Sequence, residues 1–115
     1  MGVHLVGGGF GRAAFAAFTA EVVALAAADG RQRPSVVVVT VREDASAKHA
    51  GDLVDALTDD GAIPVDAKVV AVGESDLVDP GVFAGADGIV IGGGLTPAYH
   101  AALEGGYDVI RAAVQ

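Results

Sequence analysis

The run Val36–Val39, inside "PSVVVVTV" at residues 34 to 41, constrains the fold of this chain more than any other feature. Consecutive β-branched side chains favour extended backbone. Neighbouring side chains of a strand point to opposite faces, so an unbroken apolar run is apolar on both. A strand of that kind suits the middle of a parallel sheet with helices packed on both sides, not a half-solvated edge.

The segments around it fit the same architecture. "VHLV" at 3 to 6 reads as a strand and "RAAFAAFTAEVVALAAADG" at 12 to 30 as a helix. A second helix runs through "SAKHAGDLVDALTDDG", where Leu53, Val54 and Leu57 recur at helical spacing. Asp44 or Ser46 is its expected N-cap, and Gly61 its expected C′ residue. "AKVVAV" at 67 to 72 reads as a third strand, "GESDLVDPGVFAGA" as a connection with one short helical turn, and "GIVI" at 88 to 91 as a fourth strand. A helix "TPAYHAALEGG" follows, with Thr96 as N-cap and Pro97 at N1, and then a helical "GGYDVIRAAVQ". The expectation is a single α/β domain over residues 1–115, three-layered, with a mostly parallel sheet of about four strands.

Charge and composition exclude several function classes. Fifteen acidic against seven basic residues give a net charge of −8, which opposes binding to nucleic acid or to an anionic membrane surface. The absence of cysteine removes disulfides, thiolate nucleophiles and cysteine-based zinc sites. The longest apolar segment, residues 13 to 28, is interrupted by Thr19 and Glu21 and falls short of a membrane span. A soluble, cytoplasmic protein is expected.

Two glycine triplets, residues 7–9 and 92–94, each follow a strand and precede a helix. Parallel sheets collect ligands at the carboxyl ends of their strands, and both triplets fall on that edge. Glycine there lets backbone N–H groups approach an anion or a developing oxyanion. Gly8, Gly9, Phe10 and Thr96 are accordingly the expected ligand-binding residues. "GFGRAA" at 9 to 14 also satisfies a dinucleotide-binding pattern, but position 31, where that pattern asks for an acid, is an arginine. The serines, Ser35, Ser46 and Ser75, lie in no nucleophile elbow. His4, His49 and His100 fall on a strand and two helices, with His100 nearest the second triplet. No His or carboxylate pair has metal-ligand spacing with a third ligand, so neither metal nor cofactor is expected.

"VHLVGGGF" together with "ADGIVIGGGLTPAYHAAL" resembles the amino-terminal half of the cyanophycinase and peptidase E-like serine hydrolases, whose fold is class I glutamine amidotransferase-like. The early glycine loop at Gly7, Gly8 and Gly9 and the apolar strand leading to a polar loop in "VVVVTVRED" extend the resemblance over most of the chain. It implies a flavodoxin-like layout and hydrolysis of an amide or peptide bond through an acyl-enzyme. It also implies that Gly93 and Gly94 form the oxyanion hole. Leu95 stands where the family usually has asparagine. The family's serine elbow and histidine come after the next strand and have no counterpart before Gln115, so this chain alone is expected to be inactive.

Three functional readings follow: the amino-terminal part of such a hydrolase, a non-catalytic binding module of the same fold, or a nucleotide-binding domain using "GGGFG". The first implies a complementary carboxyl-terminal segment or a second copy of the chain as partner and a small peptide or amide as substrate. It also implies poor coverage of Val90, Ile91, Val109, Ile110 and Val114.

Overall fold

The computed structural model describes residues 12–43, 47–93 and 96–114. In chain order it contains α1 (Arg12–Ala28), β1 (Ser35–Val41), α2 (Lys48–Leu57), β2 (Asp66–Val72), a 3₁₀ turn (Pro80–Phe83), β3 (Gly88–Ile91), α3 (Thr96–Ala102), a second 3₁₀ turn (Glu104–Gly106) and α4 (Tyr107–Val114). The strand expected at residues 3–6 lies outside the described residues. Among the described residues the sheet therefore has three strands, all parallel, in the order β2-β1-β3.

The valine strand is central, as its two-faced apolarity requires. Ser35 pairs with Asp66 and Val41 with Val72 on one side, while Val36 pairs with Gly88 and Val39 with Ile91 on the other. Val36 and Val38 pack with Phe15 and Val22 of α1 and with Leu53 and Leu57 of α2. Val37, Val39 and Val41 pack on the opposite face with Phe83, Tyr99 and Leu103. Helices thus cover both faces, giving three layers. Gly88 is needed for this packing, because a Cβ there would stand 2.6 Å from Val22 Cγ1 and 2.7 Å from Phe18 Cζ. Thr19, buried on α1, donates its hydroxyl hydrogen to the Leu57 carbonyl at 2.7 Å and ties the two helices of that face together.

Several local expectations need correcting. The N-cap of α2 is Ala47, which has no capping side chain, rather than Asp44 or Ser46, both outside the described residues. The helix ends at Leu57, and the chain leaves through a left-handed turn in which Asp59, Asp60 and Gly61 all have positive φ, so Gly61 closes a longer turn than a simple C′ glycine. The single helix expected over 96–106 breaks at Leu103, with a 3₁₀ turn before α4. The expected poor coverage divides: Ile91 and Val109 are exposed, at 46% and 41%, Ile110 is half-buried, and Val90 is buried in the α1/α2 core. The side chain of Val114 lies outside the described ones. No helix among the described residues is long and apolar enough to cross a membrane.

At the amino edge the strands are locked by one polar cluster. Asp87, just before β3, accepts hydrogen bonds from Arg31 Nη1 at 2.7 Å and Nη2 at 2.6 Å and from the Ser35 N–H at 2.8 Å. Its own N–H donates to the Ser35 carbonyl at 2.7 Å. The two Arg31 hydrogen bonds, aided by the Ser35 N–H and opposed by burial, hold the Asp87 carboxyl below its ordinary range. A carboxylate depressed in the folded state stabilises above its unfolded pKa and loses that contribution as pH falls through the folded value. Asp87→Ala, which leaves the Ser35 N–H without its acceptor, should destabilise the chain by about 1–3 kcal/mol at neutral pH. In denaturant titrations over a pH series, the gap between wild type and variant should stay constant above the ordinary carboxylate range and narrow in acid. A gap that widens in acid would contradict the assignment.

Candidate functional site

The order β2-β1-β3 creates a reversal of direction in the sheet. From β1 the chain crosses to one side to form β2 and then returns past β1 to form β3 on the other. At such a switch point the connections leave the carboxyl ends of adjacent strands in opposite directions, and a crevice opens between them. Here the two strand ends at the switch point are Val41, the last residue of β1, with Arg42 after it, and Gly92 and Gly93 after β3. The Gly92 N–H still bonds the Val39 carbonyl at 2.9 Å, and the Arg42 N–H bonds the Val72 carbonyl at 3.0 Å, so both strand ends are fixed in the ladder.

The two described glycines of the second triplet have different reasons to be glycine. A Cβ on Gly92 would lie 3.1 Å from the His49 ring and 3.1 Å from Leu53 Cδ1, so this position is small because α2 packs against it. Gly93 is exposed, its Cβ position meets nothing within 4 Å among the described residues, and its φ is not in the left-handed region. Neither packing nor backbone conformation requires glycine there. The Tyr99 hydroxyl donates to the Gly93 carbonyl at 3.2 Å and pins that peptide from the α3 side.

His49, half-buried at the start of α2, has a pKa lowered by burial and then by the nearby Arg42 charge, with Asp52 acting in the opposite direction. A neutral imidazole at neutral pH follows. His100 is exposed on α3, where its ring meets Tyr107 edge-on with centroids 5.4 Å apart and its carbonyl accepts the Tyr107 hydroxyl at 2.6 Å. Ser35 is at the opposite, amino edge, and Ser75 is exposed in the turn after β2. Neither makes a hydrogen bond to a histidine among the described residues. Nor does any group of three or more His, Asp or Glu side chains there converge as a metal site would require.

Of the residues expected from sequence, Gly93 lies at the carboxyl end of β3 and Thr96 begins α3, its side chain not among those described. Gly94, Leu95, Gly7, Gly8, Gly9, Phe10, Ser46 and His4 lie outside the described residues. The sequence reading missed Tyr99, Arg42 and Thr40. A tyrosine in the first turn after a strand-end glycine loop, and a cation directly after a two-faced apolar strand, are the patterns that would have indicated the first two.

Comparison with known protein families, curated proteins and solved structures returns no significant match for this chain.

The contrast between the two glycines is testable by thermal unfolding. Gly92→Ala forces His49 or Leu53 to shift and should cost about 1 kcal/mol or more. Gly93→Ala should change stability by less than about 0.5 kcal/mol, as open surface sites do. Equal losses at both positions would mean that Gly93 is also a packing residue.

Proposed function

We propose that this chain is the amino-terminal part of a peptidase E- or cyanophycinase-like serine hydrolase domain, and that the glycine turn after β3 supplies its oxyanion-stabilising backbone. The observation that carries the reading is Gly93, a strand-end glycine at the switch-point crevice with open space beside it and no steric need to be glycine. The order β2-β1-β3 supports a flavodoxin-like, class I glutamine amidotransferase-like sheet, since such sheets place their ligands between the carboxyl ends of those strands.

In this reading the backbone N–H groups of Gly93 and Gly94 stabilise the oxygen that becomes negative when a nucleophile attacks an amide carbonyl. A fixed donor of that kind is worth roughly 10²–10³ in rate, because it is already oriented before charge develops. The serine nucleophile and histidine base come from a complementary segment, in keeping with the resemblance. Leu95 in place of asparagine removes a polar contact and favours a less polar substrate group beside the turn. Association along β3, which among the described residues pairs on one side only and where Ile91 is exposed, belongs to the same proposal, with the complementary segment or a second copy as partner.

A non-catalytic binding module of the same fold is the second reading. It is favoured by the wide separation of function among the described residues, where Ser35 and the glycine turn occupy opposite edges of the sheet.

Titration of the chain with a dipeptide amide, followed by amide NMR, tests the assignment. The Gly93 resonance should shift among the first, with no hydrolysis and no labelling by a fluorophosphonate probe. Shifts confined to other regions would remove Gly93 from the site. Turnover with labelling of Ser35, Ser46 or Ser75 would require a different active centre.

A further inference from the structure

We infer that the α1/α2 side of the same sheet edge holds a binding site for a compact anionic group, a carboxylate or a phosphate, with Arg42 as its cation and Thr40 as a neutral partner. The inference concerns residues that take no part in the proposed oxyanion hole, and it does not rest on the hydrolase reading.

Two buried polar atoms on one face of β1 are left without hydrogen bonds. Thr40 is fully buried, and among the described residues neither its Oγ1 nor the buried Nε of Arg42 has a hydrogen-bond partner. The Arg42 N–H remains in the sheet ladder through the Val72 carbonyl, so the strand alternation carries through it. Residues 36, 38, 40 and 42 therefore share a face, and Val36 and Val38 place that face against α1 and α2. His49 of α2 lies close enough for the Arg42 charge to depress its pKa, and its ring stands 3.1 Å from the Cβ position of Gly92. Arg42, Thr40 and the end of β3 thus converge around the start of α2.

Native proteins rarely leave such groups unsatisfied, and an unfilled hydrogen-bonding group next to a charge is a sign of a ligand or ion that belongs there. Water can satisfy a hydroxyl or an Nε, but it does not neutralise a guanidinium. Among the described residues Arg42 has no counter-ion, although the sequence carries fifteen acidic residues. Arg31, Arg33 and Arg111 each pair with an aspartate, whereas Arg42 makes no ion pair among the described residues. Lys68 also has no acidic partner there, but it is exposed on β2, an outer strand among the described residues, where water solvates it. A half-buried guanidinium has less solvent to compete with and presents a planar fork of donors. That geometry matches the paired oxygens of a carboxylate or phosphate. The Thr40 hydroxyl adds a neutral donor deeper on the same face.

Isothermal titration calorimetry with inorganic phosphate and, separately, with succinate, at constant ionic strength set by chloride, tests the site. Saturable binding of either is expected: phosphate alone assigns a phosphoryl group, succinate alone a carboxylate. Arg42→Gln should weaken that binding by about tenfold or more, the loss expected for a charge-assisted pair. Arg42→Lys should weaken it less, and Lys68→Gln should leave it unchanged. Because Arg42 makes no side-chain hydrogen bond among the described residues, Arg42→Gln should melt no lower than wild type. If it fails to fold, Arg42→Lys and Thr40→Val carry the comparison. Absence of heat with both anions at tens of millimolar, or equal affinity in wild type and Arg42→Gln, would overturn the site.

Discussion

Burial of β1 on both faces is the constraint on which the other features depend. A strand whose valines alternate between two cores must have helices on each side and a neighbour along each edge, and β2 and β3 supply those neighbours. With β2 formed on one side of β1, β3 takes the other, and the reversal places a crevice at the carboxyl ends of β1 and β3. The position of the candidate site is therefore a consequence of how a two-faced apolar strand is covered.

The two ends of the sheet solve opposite problems. At the amino edge, Asp87 is surrounded by donors from Arg31 and Ser35, and the charged groups there satisfy one another. Such a cluster fixes the start of β3 against the start of β1 and leaves little capacity for a ligand. At the carboxyl edge, Gly92 is held by the ladder and by packing against α2, while Gly93 is exposed and Arg42 makes no ion pair among the described residues. The buried hydrophobic frame and the amino-edge cluster provide the rigidity that makes the second edge usable.

Much of this was legible in the residues. The valine run identified the central strand, and alternation of strands and helices identified the parallel sheet, with the second glycine triplet at the carboxyl end of β3. What the sequence did not disclose follows from tertiary contacts. "GGG" gives no sign that Gly92 is small because His49 and Leu53 press on it while Gly93 is open. Periodicity through "TPAYHAALEGG" does not reveal the break at Leu103, because alanine and leucine suit either a continuous or an interrupted helix. Capping preference suggested Asp44 or Ser46 for α2, yet the helix starts after Ala47, where propensity alone would not put a boundary. The importance of Arg42 lies in what it does not contact, and a sequence carries no direct signal of that.

The candidate site depends most on β3 being paired directly beside β1, over Val36–Val39, so that the glycine turn is presented at a fixed strand end. Native-state amide hydrogen exchange measures this most directly. The Asp87 N–H, bonded to the Ser35 carbonyl, and the Gly92 N–H, bonded to the Val39 carbonyl, should be protected to nearly the same degree as the Val38 N–H at the centre of β1. Exchange of the β3 amides at close to the rate of an unstructured chain, with β1 and β2 still protected, would contradict the account, because no fixed crevice could then exist between β1 and β3.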